Sequence, residues 1–240
     1  VKTGWFAERL GLPAGDESWF VGGVEPRYDA VMFDAESREF RPFLTVLGGV
    51  SCDYRADLRR NPYFRGVDLT DCLRQAGCSF CSSDMFPTSA MNLDPVGLAR
   101  NQFAALARSS GGRNCGRFEM RDIRLFRRLA DFVAMIGVLK LPPAEFHFAP
   151  RVDDLLDAGP DLGKLLPVLA ALGHRLILFR MGIEHFSPSE NGRFNKGLTL
   201  EQIDRGTALA ERLRAAHPEH FDYARPMGYI GFTPWTTLED

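Results

Sequence analysis

The 240-residue chain lacks any apolar run near the roughly 18 residues that a bilayer-crossing helix needs. Its longest, around Phe132–Leu139 and Leu165–Gly173, have the length of core helices. The opening Val1-Lys2-Thr3-Gly4-Trp5 has no apolar stretch of the kind that marks a secretory signal. It also lacks an initiating Met, and the expectation is a piece of a longer chain. An excess of either charge is missing as well. Against 29 basic residues stand 31 acidic ones, a net charge of −2, which argues against a nucleic-acid surface. Cysteine is scarce: five residues are too few for a disulfide scaffold, and with no signal segment the expected compartment is the cytoplasm. There is no internal repeat and no low-complexity tract. The 19 Phe and many Leu carry enough apolar surface to offset chain entropy, which argues against disorder.

What is present has an order. Residues 1–66 are rich in aromatics, Gly and Pro and show little helical periodicity. They read as a lead-in or the end of a preceding domain, with Trp5–Leu12 a short helix and Tyr28–Phe33 and Arg41–Leu47 short strands. From residue 67 strands and helices alternate. Gly66–Asp71 reads as the first core strand. Asp94–Ser109 reads as a helix with Asp94 as cap and Pro95 in the first turn. Arg117–Arg121 alternates like a strand, and Ile123–Leu139 carries an inward apolar face. Glu145–Val152, Leu162–Leu172 and Arg175–Ile183 follow as strand, helix and strand. Leu200–Ala216 is a helix opened by Thr199 with Gln202 three residues on, a capping-box spacing. The last strand falls within Phe221–Phe232, most simply Met227–Phe232. Five strands alternating with helices predict a parallel sheet, either open and doubly wound or a barrel or partial barrel.

Three of the five cysteines fall within ten residues. Cys72, Cys78 and Cys81 have the spacing C-x5-C-x2-C, just after the first expected core strand. Loops at the carboxyl ends of parallel strands are where α/β folds bind ligands. Three thiolates on one loop can hold three irons of a cubane cluster and leave the fourth open. A structural zinc site would want a fourth ligand, usually from a second C-x2-C or an H-x3–5-H. Neither follows here, although Cys52 is a candidate fourth. Cys52 and Cys115 otherwise read as single buried thiols.

These residues resemble the radical S-adenosylmethionine (SAM) superfamily over about residues 67–240. The family motif is C-x3-C-x2-C, with an aromatic residue before the last cysteine. Phe80 holds that place, and this chain has two extra residues between the first two cysteines. Phe146–Asp153 is similar to the family's third strand, which often ends in Arg-x-Asp. Met181–Ser187 followed by Arg193–Thr199 resembles the G-I-E-S … N-K-G-x-T stretch of the branch that holds methylthiotransferases and cobalamin-dependent enzymes. Gly228–Asp240 resembles the fifth strand and its turn, with Trp235 and Thr236 in place of the usual Gly and Glu. No D-x-H-x-x-G cobalamin motif is present, so cobalamin is not expected on this chain.

The resemblance implies a partial (β/α)6 TIM-like barrel, with about five parallel strands present and the sixth beyond residue 240. It implies a 4Fe–4S cluster on Cys72, Cys78 and Cys81 and S-adenosylmethionine as the second cofactor. The reduced cluster would donate one electron to the sulfonium, break the S–C5′ bond and yield a 5′-deoxyadenosyl radical that abstracts hydrogen from a substrate. The electron would come from a donor such as flavodoxin or ferredoxin. Methyl or methylthio transfer is the subclass the branch suggests. A non-catalytic iron–sulfur or zinc-binding module is the competing reading.

Around SAM, the resemblance implies Asp122 for the amino group, where a helix N-cap is the alternative. It implies Arg151 for the carboxylate, against an ion pair with Asp153 or Asp154. Glu184 would meet the ribose or amino group, against an ion pair with Arg180 or Lys196. Phe80 and the strand holding Ile230 would lie near adenine, against plain packing. Gly111-Gly112 precedes the second strand and reads as a helix stop. His147 points into the barrel or packs outside it. His185 follows Glu184 directly, so the pleat turns it to the opposite face and a core contact. Arg124, Arg127 and Arg128 read as a solvated helix face.

Overall fold

The computed structural model describes residues 43–46, 52–70, 75–81, 94–108, 116–224 and 228–237. The expected helix and strand within 1–42, Gly111-Gly112, Cys72, Cys115 and the end of the chain from Leu238 lie outside the described residues.

Five strands form one all-parallel sheet in strict chain order: β1 (Phe43–Val46), β2 (Arg117–Met120), β3 (Glu145–Phe148), β4 (Arg175–Leu178) and β6 (Phe221–Tyr223). Past their carboxyl ends a second parallel pair, β5 (Gly182–Glu184) and β7 (Gly228–Tyr229), carries the β4–β6 pairing onward. The helices are α1 (Pro95–Arg108), α2 (Ile123–Arg127), α3 (Leu129–Leu139), α4 (Val152–Ala171), α5 (Pro188–Arg193) and α6 (Leu200–Ala216). The long ones pack in the same order, α1 on α3, α3 on α4 and α4 on α6. The chain is therefore an α/β fold built on a parallel sheet.

Alternation along the strands sets the two sheet faces apart. Phe118, Met120, Phe146, Phe148, Leu176, Leu178, Phe221 and Tyr223 enter the apolar core with the helices. Aromatic edges dominate that core. Phe103 meets Phe118 and Phe146 edge-on at 5.0 and 5.8 Å, and Phe132 meets Phe146 and Phe148 at 5.1 and 5.6 Å. The opposite face is polar. Glu119, His147, Ile177 and Asp222 stand in one row across β2, β3, β4 and β6. Two residues earlier Glu145 pairs with Arg117 at 3.2 Å and with Arg175 at 2.7 Å. Parallel sheets are ordinarily apolar on both faces, so this one is built to meet polar matter on one side.

Several expected elements move. The described residues 66–70 form no strand. The strand beside β2 is β1, so the sheet draws on the segment read as a lead-in. Helix α4 begins at Val152, ten residues before the expected start, and runs through Pro160 and Pro167. Its buried face, Val152, Leu155, Leu162, Leu166 and Leu169, keeps helical period across Pro160, and that packing outweighs the hydrogen bond proline loses. The expected helix over Ile123–Leu139 breaks at Arg128, where ψ is 35°. The last strand of the main sheet is Phe221–Tyr223, and the Met227–Phe232 stretch supplies only β7. The caps hold as read. Asp94 accepts from Val96 N at 3.2 Å and Gly97 N at 3.0 Å, and Thr199 and Gln202 complete a capping box. Among the described residues no helix is long and apolar enough to cross a membrane.

Candidate functional site

The residues that follow the carboxyl ends of β3 and β4 meet the cysteine loop. Arg151 lies between β3 and α4 and is 3% exposed. A buried guanidinium must satisfy its donors, and each finds a partner. Nε pairs with Asp153 at 2.9 Å, Nη2 donates to the Lys196 carbonyl at 2.9 Å, and Nη1 lies 3.7 Å from the Cys78 sulfur. The guanidinium plane sits 4.0 Å from the Tyr54 ring centroid, a cation–π contact. The ion pair with Asp153 is thus real, but the arginine is a buried hub and not a surface group.

Glu184 ends β5 in the left-handed region at φ 65°. Its Oε1 pairs with Lys196 Nζ at 2.6 Å, and both side chains are largely buried. Gly182 makes this possible, since a Cβ there would stand 2.7 Å from Lys196 Nζ and 2.9 Å from Glu184 Oε1. A parallel bridge between Arg151 and Gly182 ties the two strand ends together. Lys196 Nζ also lies 6.0 Å from the Phe80 ring, and Phe80 sets its edge against Phe194 at 5.4 Å. The backbone N–H of Ile230 donates to the Glu184 carbonyl at 2.7 Å. Cys78, Phe80, Arg151, Glu184 and Ile230 are thereby joined through Lys196 and Glu184 into one contact network.

Cys78 is buried, Cys81 half-buried, and the two share a turn in which Cys81 N–H donates to the Cys78 carbonyl at 3.2 Å. Burial pushes the Cys78 thiol up, and the Lys196 and Arg151 cations oppose that. Burial likewise raises Cys52, which feels the same Arg151 guanidinium. Cys72, the third expected ligand, lies outside the described residues. Among the described residues no three His, Cys, Asp or Glu side chains gather as a metal site. Cys78 and Cys81 stand three residues apart in one turn, and the buried Arg151 and Lys196 cations bear on the Cys78 sulfur, where they would offset the charge of a thiolate.

Asp122 is the N-cap of α2. It is fully buried, accepts the Arg124 N–H at 2.9 Å and pairs with the Arg124 guanidinium at 2.8 Å. A separate ion-pair chain reaches Arg151. Arg127 pairs with Asp53 and, at 2.5 Å, with Asp154, whose other oxygen accepts the Arg151 N–H at 3.3 Å. Arg124, Arg127 and Arg128 are therefore each ion-paired, Arg128 with Asp94 and Asp131. Arg127 and Arg128 are exposed as the solvated-face reading expects, and Arg124, half-buried against Asp122, departs from it. His185 is buried and stacks on Tyr229 at 5.3 Å. His147 lies on the polar sheet face, 3.2 Å from Glu145 and edge-on to Phe179.

Tyr54 and Asn195 belong to this site, and no motif singled them out. Tyr54 stands in no recognisable pattern. Asn195 was visible only as one letter of the N-K-G stretch. Gly197, at φ 68°, lets the Tyr54 hydroxyl approach where a Cβ would collide. Compared with known proteins, the chain matches no family model, no curated protein and no solved structure.

Proposed function

We propose that this chain is a radical SAM enzyme core in which Cys72, Cys78 and Cys81 hold a 4Fe–4S cluster beside a site for S-adenosylmethionine. The observation that carries the reading is the Arg151–Cys78 contact at 3.7 Å, with Lys196 linking it to Glu184 at the carboxyl end of a parallel sheet. The cysteine loop and the ends of the third and fourth sheet strands are remote in sequence and meet at one place.

When bound, the cluster supplies one electron, received from a small donor such as flavodoxin or ferredoxin, to the SAM sulfonium. The protein's part is binding and electrostatics. Arg151 offsets the charge of the thiolates, and because Asp153, the Lys196 carbonyl and Cys78 already hold its nitrogens, it would meet the methionyl carboxylate only by exchanging one of those partners. Glu184 accepts hydrogen bonds from ribose hydroxyls or the ammonium group. Phe80, at 45% exposure, and Ile230, one residue past the end of β7, offer apolar surface to adenine. Asp122 is occupied by its cap and by Arg124, so any share it has in meeting the amino group runs through that pair.

The strand order supports the barrel form of the fold. An order without reversal, joined by right-handed crossovers, puts all helices on one face and leaves the other as a lumen. The polar row Glu119, His147, Asp222 fits such a lumen, and a partial (β/α)6 barrel is the architecture we assign. The likeness of Met181–Thr199 to the methylthiotransferase branch points to methyl or methylthio transfer. A thiolate-held cluster suits a reducing compartment such as the cytoplasm.

Anaerobic reconstitution with iron and sulfide tests the reading. Wild-type protein should take up both and show a broad visible absorption band. Cys72→Ala, Cys78→Ala and Cys81→Ala should each lose the band with the far-ultraviolet spectrum unchanged. Full iron and sulfide in all three variants would refute the assignment. Zinc uptake without sulfide would leave only a non-catalytic metal module.

A further inference from the structure

The turn that carries Lys196 also grips the cysteine loop, and one side chain does most of it. Asn195 is 7% exposed and sits at φ 50°, a conformation that asparagine tolerates better than most residues. Its amide nitrogen donates to the Gly77 carbonyl at 2.7 Å and to the Ala56 carbonyl at 2.9 Å. Its amide oxygen accepts from Asn61 Nδ2 at 2.9 Å. Two segments remote in sequence, residues 56–61 and the cysteine loop at Gly77, thus converge on one amide.

The backbone on the other side of Cys78 is held by the same turn. Ser79 N–H donates to the Phe194 carbonyl at 2.9 Å, and Ser79 Oγ donates to the Arg193 carbonyl at 2.9 Å. Cys78 is therefore pinned on both flanks by residues 193–195. The next residue, Lys196, pairs with Glu184 through its side chain and with Arg151 through its carbonyl. We infer that Asn195 is a positioning residue: it fixes the Cys78 sulfur in register with the Glu184–Lys196 pair. In its consequence for SAM this rests on the function proposed above, whereas the hold on the loop exists without any cofactor.

Without the amide the Gly77 carbonyl loses its Asn195 donor and the loop keeps only its backbone bonds to residues 56–58 on that flank, Gly77 N–H to the Ala56 carbonyl at 2.9 Å and Leu58 N–H to the Gln75 carbonyl at 3.0 Å, so the sulfur should become more accessible in local openings. Asn195→Asp keeps shape and backbone preference but cannot donate. Asn195→Gly keeps the positive φ and removes the amide. In the metal-free 240-residue chain, iodoacetamide should alkylate Cys78 about tenfold faster in both variants than in wild type, read by peptide mass. Amide exchange in α4 should be unchanged. In reconstituted protein both variants should retain iron, and SAM should shift the electron paramagnetic resonance of the reduced cluster less than in wild type.

An unchanged Cys78 rate in both variants overturns the inference. So does exchange that quickens throughout α4, which would mark general loosening. An unaltered SAM response in iron-loaded variants would overturn it as well. If wild type takes up no cluster yet Cys78 still reacts faster in the variants, the cluster reading fails and the positioning role stands.

Discussion

Glu184 is a half-buried carboxylate in a backbone conformation that side chains rarely adopt, and strained positions of this kind collect at functional sites. Its ion pair with Lys196 is already satisfied, so a ligand group that approaches Glu184 must share or displace an ammonium. Glu184→Gln keeps the shape and removes the charge. A hydrogen bond to a charged group contributes about 1.5–3 kcal/mol, so SAM should bind about ten- to a hundredfold more weakly at equal cluster occupancy. Titration of SAM into reconstituted wild-type and variant protein measures this, and equal affinities would reduce Glu184 to a partner of Lys196. At this scale the sequence was legible where a charged residue follows a strand inside a patterned stretch, as Arg151 and Glu184 do. It was silent on Tyr54 and Asn195, because their roles depend on which distant backbone lies opposite them.

Elements were legible where local patterning and packing agree. Strands β2 and β3 alternate polar with apolar residues, β4 is an apolar run after Arg175, and α6 announces itself through its capping box. Helix α4 was half hidden by Pro160, and β1, read as a strand within Arg41–Leu47, was assigned to the lead-in because its partner β2 lies about 70 residues on. The turn into β4 carries a titratable element of its own. His174 is 1% exposed, its Nδ1 accepts the Ala144 N–H at 3.2 Å, and its ring meets Phe146 edge-on at 5.2 Å. An acceptor Nδ1 places the proton on Nε2, the neutral tautomer. Burial holds this histidine below the usual range. The unfolded chain therefore binds the proton first as pH falls. Stability contributed by the neutral ring is fully present above about pH 6.5 and declines below it, by no more than about 2 kcal/mol at pH 5. His174→Asn keeps an acceptor for Ala144 and cannot titrate. The stability gap between wild type and this variant, from urea unfolding, should move against wild type between pH 7.5 and pH 5. A gap independent of pH would mean that His174 does not titrate on unfolding in this range.

For the whole molecule, the parallel α/β class followed from the alternating order of strands and helices, and the sheet shows it. The chain-order sheet with its single run of helices and one polar face adds what sequence patterning does not contain, because sheet order is set by long-range pairing. The same sheet edge collects Cys78, Arg151, Glu184 and Ile230, and on that gathering the central claim depends. Electron paramagnetic resonance of anaerobically reconstituted, dithionite-reduced protein, recorded with and without SAM, tests it most directly. The account predicts a reduced 4Fe–4S signal whose g-values shift when SAM is added, as an open iron gaining a ligand requires. A cluster signal unmoved by saturating SAM, or no cluster signal at all, would contradict it.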